Sequence, residues 1–110
     1  MRLPNANRAM VDIAKLRDYS LNPTHEVGKH KARVFQAALG LTIKGADWLR
    51  EEILRAAHEK DATAGRLSPF GQTYVIDVIM THGNQSALVR TTWMVEHGTD
   101  LPRLTSCYVK

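Results

Sequence analysis

The sequence predicts an α+β domain in which two to three N-terminal helices pack on a C-terminal antiparallel meander of three to four strands. Up to about residue 60, apolar residues recur with the 3.6-residue period of helices. From about residue 73, apolar and polar residues alternate, as on strands with one buried face. A length of 110 residues allows one hydrophobic core, so we expect a single domain over residues 1–110.

Charge is distributed unevenly along the chain. The net formal charge is +4, and residues 1–40 hold seven Lys and Arg against three Asp and Glu, whereas the rest is balanced. This excess favours an anionic partner near the N-terminal third. The sequence contains neither an apolar run of the roughly 20 residues that cross a membrane nor a signal-peptide core. We therefore expect a cytoplasmic chain that does not contact membranes.

The residues that hold metals or act as nucleophiles do not form a recognisable pattern. Cys107 is the single cysteine, and the five histidines lack the spacing of a zinc site. Phosphate loops, dinucleotide-binding glycine motifs and a nucleophile elbow are absent from the sequence. We expect Cys107 to be a small buried residue of a strand, and we expect no metal and no cofactor.

The first 28 residues predict an extended segment, a short helix and a loop. Pro4 cannot donate a backbone hydrogen bond and disfavours helix before it, so residues 3–6 are expected to be extended. Asp12 is suited to cap the N-terminus of a short helix. Pro23 ends that helix, and a polar loop then leads to Gly28.

Residues 29–39 have the pattern of an amphipathic helix. We expect Val34 and Phe35 to anchor it in the core and Gly40 to end it. Lys31 lies four residues before Phe35, so it must either extend outward along its methylenes or reach over the edge of the core towards a cleft. Backbone N–H groups at this helix N-terminus are suited to bind phosphate.

A second helix is predicted over about residues 44–60, with a core face made of Ala46, Leu49, Ile53, Ala56 and Ala57. Residues 61–71 are expected to be a loop. Alternating strands then follow over residues 73–80, 87–95 and 103–109. Gly83-Asn84 between the first two is typical of a two-residue hairpin turn.

The remaining polar residues fit metal-free cleavage of RNA. RNA carries its own nucleophile, the 2′-hydroxyl, so a protein need only position it, transfer protons and stabilise the charge on the phosphate oxygens. One wall of such a site is expected from the first long helix, and the other from residues that share faces of the last two strands. These residues are His30, Lys31 and Arg33 on the helix, and Arg90, Thr92, Arg103 and Thr105 on the strands.

Each of these side chains also has an ordinary structural explanation. His30 on a polar helix face is more often simply exposed. Arg90 has Asp77 and Glu96 as alternative ion-pair partners. Tyr108 is expected to be a half-buried aromatic whose hydroxyl reaches the same cleft, and threonines are common strand residues.

Several motifs together resemble a bacterial family known only as a domain of unknown function. They are LPNA from Leu3, LNPTH from Leu21, GKHKARVF from Gly28, ALGL from Ala38, RTTW from Arg90 and PRLTSCY from Pro102. The match spans nearly the full chain. Members of that family occur alone and as C-terminal modules of larger secreted or phage-related proteins, a setting typical of polymorphic toxins. Glu26 is a departure, because proline is expected in the family's loop.

The order of helices followed by a meander ending in a Thr-x-x-Tyr strand is also similar to the ribonuclease superfamily of barnase, colicin E5, colicin D and RelE-type toxins. This fold-level resemblance implies a toxin-type, metal-independent endoribonuclease that cleaves tRNA or other RNA to a 2′,3′-cyclic phosphate. The implied catalytic residues are His30, Lys31, Arg90, Thr92, Thr105 and Tyr108, with Lys29, Arg33 and Arg103 binding RNA.

The implied partners are RNA and a cognate immunity protein or antitoxin. The alternative is a non-enzymatic antitoxin, immunity or phage accessory module whose basic surface binds an acidic protein or nucleic acid.

Overall fold

Helix α1 (Ile13–Lys15) begins at Asp12 in the computed structural model, which describes residues 1–110. The Asp12 carboxylate accepts a hydrogen bond from the Ala14 amide at 2.9 Å, so the predicted N-cap is confirmed. The helix continues directly into a π-helical segment (Leu16–Ser20). There the Leu21 amide donates to the Leu16 carbonyl at 2.9 Å, which gives the wider turn.

The N-terminal segment is more compact than predicted. The extended conformation expected for residues 3–6 is wrong, because the chain turns at Asn5 and then forms a 3-10 helix (Ala6–Arg8). Asn5 adopts the left-handed conformation with φ of 53°, and its Nδ2 donates to the Asp100 carbonyl at 2.7 Å. This turn brings Leu3 into the core, where only 2% of it is exposed.

Helix α2 (Lys29–Leu39) has the predicted bounds. Gly40 follows it with φ of +66°, and the amides of Gly40 and Leu41 donate to the carbonyls of Gln36 and Phe35. Glycine adopts this left-handed conformation without the steric cost that a side chain would bring. The predicted C-terminal stop at Gly40 is therefore confirmed.

The buried stripe of α2 consists of Ala32, Phe35 and Leu39. These residues are three and four positions apart, so they lie on one face of the helix. Val34 lies outside this stripe and is 44% exposed, so the prediction that it anchors the helix is wrong.

Helix α3 (Ala46–Glu59) follows a single 3-10 turn (Ile43–Gly45). Its predicted core face is confirmed, since all five residues are buried: Ala46, Leu49, Ile53, Ala56 and Ala57. Helix α3 is 14 residues long, and no helix of the chain has the length and apolar character needed to cross a membrane.

Four antiparallel strands follow in the spatial order of the chain: β1 (Thr63–Leu67), β2 (Gly71–His82), β3 (Gln85–Glu96) and β4 (Pro102–Val109). The α+β prediction is thus confirmed, but the loop expected over residues 61–71 is wrong, because it contains β1. All five residues of β1 are exposed, so the strand has no hydrophobic period to reveal it. Backbone pairing and the Thr73 hydroxyl, which bonds the Arg66 amide at 2.7 Å, hold it to β2.

The hairpin between β2 and β3 is confirmed, because His82 pairs with Gln85 across Gly83-Asn84. Pairing between β3 and β4 is interrupted once. Thr92 lies opposite Ser106 and Trp93 opposite Leu104, which leaves Thr105 as the extra residue of a β-bulge.

One face of the sheet packs on the helices and the other, which we call the open face, points away from them. Trp93 and Phe35 are fully buried between the helices and the sheet. The buried Thr91 hydroxyl donates to the Ile76 carbonyl at 2.9 Å and accepts from the Trp93 indole at 3.0 Å. Every polar atom buried near Trp93 is thus paired, as a stable core requires.

Gly28 should not tolerate a side chain. A β-carbon there would lie 2.6 Å from the Tyr19 carbonyl oxygen, a backbone atom that cannot move aside easily. We expect Gly28→Ala to lower the free energy of unfolding by about 1–3 kcal/mol, measured by urea denaturation. Its φ of −84° is open to any residue, so the loss would be steric. Gln36→Ala, at an exposed position of α2, is the control, and equal stability of the two variants would contradict the expectation.

Candidate functional site

Arg90 is at the centre of the open face. It lies directly opposite Asp77 on β2 and Tyr108 on β4. Its Nε donates to Asp77 Oδ1 at 2.9 Å and its Nη2 to Asp77 Oδ2 at 3.0 Å. Both side chains are 30% exposed, so this is a two-point pair at a partly covered position. Of the two partners considered for Arg90, the structure selects Asp77.

Two lysines extend this arrangement. Lys31 reaches from α2 past the β4 edge and places Nζ 4.7 Å from the centroid of the Tyr108 ring, a cation–π contact. Lys110 places Nζ 3.7 Å from Asp77 Oδ2. We call Lys31, Tyr108, Arg90, Asp77 and Lys110 the cationic row. It holds three cations and one carboxylate, so its side chains attract anions.

The charges within the row stabilise one another. The hydrogen bond from Arg90 holds the pKa of Asp77 below its ordinary value, with smaller contributions from the charges of Arg90 and Lys110. In return, the bond to Asp77 raises the pKa of Arg90, and Tyr108 adds a smaller effect in the same direction. Arg90 and Asp77 are therefore both charged at neutral pH.

A groove of about 440 Å³ opens beside the row. It is lined by Thr63, Ala64 and Gly65 of β1, Val75 of β2, the Asp77–Arg90 pair and Asp61, so its charged lining consists of two carboxylates and one guanidinium. This volume falls within the range of small-molecule and nucleotide sites. The Asp77–Arg90 pair therefore borders open space, whereas Lys31, Tyr108 and Lys110 lie outside the lining of this groove.

Three of the five histidines have structural roles. His25 Nδ1 accepts hydrogen bonds from the amides of Val27 and Gly28 at 3.1 and 3.0 Å. His82 Nδ1 bonds the Leu39 carbonyl at 2.7 Å, and its ring packs on Trp48. His97 Nε2 bonds the Ser68 carbonyl at 3.0 Å. The other two, His30 and His58, are exposed, and of these only His30 precedes a residue of the row.

The loop before α2 shows why several motif residues are there. Asn22 Oδ1 accepts from the Thr24 amide at 3.0 Å and forms a turn. The His25 ring caps the next turn and contacts Tyr19 edge-on at 4.7 Å between ring centroids. Contacts with the backbone therefore explain why Asn22, His25 and Gly28 occupy their positions in this loop. They do not account for the neighbouring His30 and Lys31, which remain available for binding.

The structure brings some of the predicted site residues together. Lys31, Arg90 and Tyr108 meet in the row. Thr92 lies further along the open face, opposite Ser106, and the Thr105 hydroxyl donates to the Thr92 carbonyl at 3.1 Å. The Thr105 hydroxyl hydrogen therefore stabilises the bulge and cannot be donated to a ligand while this bond is intact.

The other predicted residues lie around the row. Arg103 pairs with Glu96 at 2.7 Å, beside Met94 and away from Arg90. Lys29, His30 and Arg33 lie on α2, where Arg33 and His30 are exposed. Lys29 and Arg33 add positive charge to the helix that carries Lys31, and no hydrogen bond or ion pair joins Lys29, His30 or Arg33 to the sheet residues of the row.

Sequence reasoning missed Lys110 as a member of the row and treated Asp77 only as an ion-pair partner. Arg90 and Asp77 are 13 positions apart on strands joined by a two-residue turn. Counting back from the Gly83-Asn84 turn places them opposite each other, so the pair was available from sequence. Lys110 lies beyond the bulge, and its position depends on the displaced register.

Cys107 is buried as predicted, with 2% of the residue exposed. Burial raises the pKa of its thiol to about 11, against smaller opposing effects of a hydrogen bond with Ser20 and the charges of Lys15 and Lys31. The thiol is therefore protonated at neutral pH and is a poor nucleophile. No three His, Cys, Asp or Glu side chains cluster in a way that holds a metal ion.

A second groove of about 440 Å³ lies between the N-terminal 3-10 helix and α3. Its polar lining mixes charges, with Glu51 and Glu59 beside Arg55 and His58. None of the predicted site residues reaches this groove. We therefore place the candidate site at the cationic row, where sequence motifs and geometry coincide.

Comparison with known proteins gives a family and a fold. Residues 2–110 match the family model described as a domain of unknown function (DUF6883). No curated protein matches the chain significantly. The structure is similar to a chain of a contact-dependent growth inhibition toxin–immunity protein complex from Klebsiella pneumoniae 342, with a TM-score of 0.70 and 17% sequence identity. The similarity covers 91% of this chain and 98% of that chain, and at this identity it establishes a shared fold.

Acid should weaken the fold through Asp77. Because the folded-state pKa of Asp77 lies below its ordinary value of 3.8, its stabilising contribution is complete above about pH 4 and is lost as the pH falls through the folded pKa. We expect Asp77→Asn to be less stable than the wild type at pH 7 and the difference to shrink at pH 3. Urea unfolding at both pH values checks this.

Asp18→Asn, at an exposed position of the π-helical segment, is the matched control and should differ little from the wild type at either pH. An equal deficit of Asp77→Asn at pH 7 and pH 3 would refute the expectation.

Proposed function

We infer a function from the premise that this chain belongs to DUF6883, a family of domains of unknown function. We propose that it takes part in a toxin–immunity system as a metal-independent endoribonuclease of toxin type. Its substrate is tRNA or another RNA, and its product carries a 2′,3′-cyclic phosphate end. Supporting this setting, the chain shares its fold with a member of a contact-dependent growth inhibition toxin–immunity protein complex.

The observation that carries the proposal is the meeting of Lys31, Tyr108 and Arg90 in the cationic row. When the 2′-hydroxyl attacks the adjacent phosphorus, negative charge grows on the non-bridging oxygens. Cations fixed beside those oxygens stabilise the transition state more than the ground state. Lys31 and Arg90 approach Tyr108 from two elements, α2 and β3, and supply those cations.

Proton transfer is assigned to His30. It is a histidine without a structural hydrogen bond, and it precedes Lys31 on the first turn of α2. A neutral imidazole there removes the proton of the 2′-hydroxyl while water protonates the leaving 5′-oxygen, or an imidazolium protonates the 5′-oxygen while water accepts the 2′-hydroxyl proton. The ring is exposed, so it acquires its orientation when RNA binds.

Neighbouring residues bind and position the RNA. Lys29 and Arg33 on α2 and Arg103 on β4 neutralise phosphates that flank the cleaved one. Thr92 and Tyr108 offer hydroxyl groups on the open face. Thr105 holds the Thr92 backbone, so its contribution to positioning acts through the bulge.

Purified protein should cleave total tRNA in the presence of EDTA and leave 2′,3′-cyclic phosphate ends. Lys31→Ala and Arg90→Ala should each lower kcat by about 10²–10³-fold, because each removes charge stabilisation at the phosphate. Gel electrophoresis with end-group analysis measures both results. Arg66→Ala, an exposed cation of β1 away from the row, should retain cleavage. Intact tRNA at high protein concentration, with harmless expression in bacteria, would refute the ribonuclease.

The second candidate function is a non-enzymatic antitoxin, immunity or phage accessory module. The complex that contains the similar chain holds an immunity protein as well as a toxin, so the shared fold is compatible with either role. Two features of the site favour this alternative. The Arg90 charge is already paired with Asp77, and no hydrogen bond orients the His30 ring. Binding needs neither a free arginine nor an oriented base.

If binding is the function, His30→Ala and Lys31→Ala should weaken a complex without any turnover to lose. Gel filtration and calorimetry with the product of the neighbouring gene, or with RNA, measure the affinity. We expect an equimolar complex whose Kd rises about tenfold with Lys31→Ala, since an interfacial cation is lost. Unchanged affinity in both variants would contradict this role for the row.

A further inference from the structure

We propose that Asp77 is a positioning residue that holds the Arg90 guanidinium in one orientation, with Nη1 directed to an incoming RNA phosphate. This inference rests on the proposed ribonuclease function. It assigns Asp77 a role in the reaction beyond that of a surface ion pair. Asp77 touches neither the substrate nor the reacting atoms, so it acts through Arg90.

The two-point contact sets which arginine hydrogens remain available. A guanidinium carries five N–H donors in a planar fork. Asp77 Oδ1 accepts one from Nε at 2.9 Å, and Oδ2 accepts one from Nη2 at 3.0 Å. Asp77 leaves three hydrogens unused, two on Nη1 and one on Nη2, and Tyr108 borders the guanidinium on the β4 side. A phosphate can therefore bind Arg90 without displacing the carboxylate.

Asp77 is itself held in place. It lies directly opposite Arg90 in an uninterrupted part of the β2–β3 ladder. Lys110, the residue after β4, places Nζ 3.7 Å from Oδ2, so that oxygen faces two cations. Tyr108, opposite Arg90 on β4, borders the arginine on the other side. Carboxylate and guanidinium thus have little freedom to rotate apart, and the geometry exists before RNA binds.

This arrangement predicts opposite effects on binding and on chemistry. The Asp77 carboxylate lies next to the phosphate position, so it repels RNA in the ground state and weakens binding. It also orients Arg90, which matters most in the transition state. Its removal should therefore tighten RNA binding while slowing the chemical step. Replacement of a residue with only a structural role would instead lower both the affinity for RNA and the rate of the chemical step.

The test compares steady-state cleavage of tRNA by the wild type, Asp77→Asn and Asp77→Glu. We expect Asp77→Asn, which keeps the shape and loses the charge, to lower kcat by about 10–100-fold and to lower KM severalfold. Asp77→Glu restores a carboxylate and should recover part of kcat. A fall in kcat with no fall in KM, or no fall in kcat, overturns the proposal.

Glu96→Gln is the matched control. It removes one carboxylate from a strand ion pair on the same face, since Glu96 binds Arg103 at 2.7 Å. The same change in charge should lower KM, but kcat should stay at the wild-type value because Arg90 keeps its orientation. An equal loss of kcat in both variants would mean that charge alone, and not positioning of Arg90, accounts for the effect.

A readout without RNA separates this proposal from the proposed function. In the wild type, NMR should show a slowly exchanging Arg90 Nε–H whose signal shifts on titration with inorganic phosphate. In Asp77→Asn that exchange should become at least tenfold faster. Equal protection in both proteins overturns the role of Asp77, whatever the RNA assay shows. A wild type with the protected signal but no cleavage refutes the ribonuclease and leaves the orientation of Arg90 established.

Discussion

The extra residue at Thr105 decides which side chains of β4 face the core and which face outward. Ladder pairs on either side of it join Thr92 to Ser106 and Trp93 to Leu104. In strict alternation from the exposed Arg103, Cys107 would point outward and Tyr108 inward. The bulge reverses both: Cys107 packs in the core, and Tyr108 lies beside Arg90 on the open face. The Thr105 hydroxyl stabilises this break in the ladder through its bond to the Thr92 carbonyl.

The same displacement connects the sheet to the helices. With Tyr108 at the β4 edge, Lys31 can reach its ring from α2. The N-terminus of α2 is fixed in turn by the close approach of Gly28 to Tyr19 and by the His25 ring, which bonds two amides just before the helix. The position of Lys31 thus depends on backbone contacts on one side and on the strand register on the other. Neither element forms the cationic row alone.

Much of the fold follows from local sequence, and the parts that do not have identifiable reasons. Both bounds of helix α2 follow from the sequence, because the apolar pattern marks its extent and Gly40 ends it. The β2–β3 hairpin follows because Gly83-Asn84 forms its turn. Strand β1 was missed because its five exposed residues carry no hydrophobic period. The site was only partly predictable. Residues Lys31 and Arg90 follow from motif and strand pattern, whereas the outward position of Tyr108 requires a bulge whose place is set by packing of Leu104 and Cys107 in the core.

The two candidate functions use the same chemistry. RNA presents phosphates and an acidic partner presents carboxylates, and both are anions that fit a row with three cations and one carboxylate. Asp77 neutralises only part of this charge, so a ligand with several anionic groups gains more from the row than a singly charged one. If the row binds RNA phosphates as proposed, an acidic immunity protein bound there would cover Arg90 and exclude RNA. In that arrangement, inhibition needs no change in the conformation of the fold, because substrate and inhibitor compete for the same fixed cations.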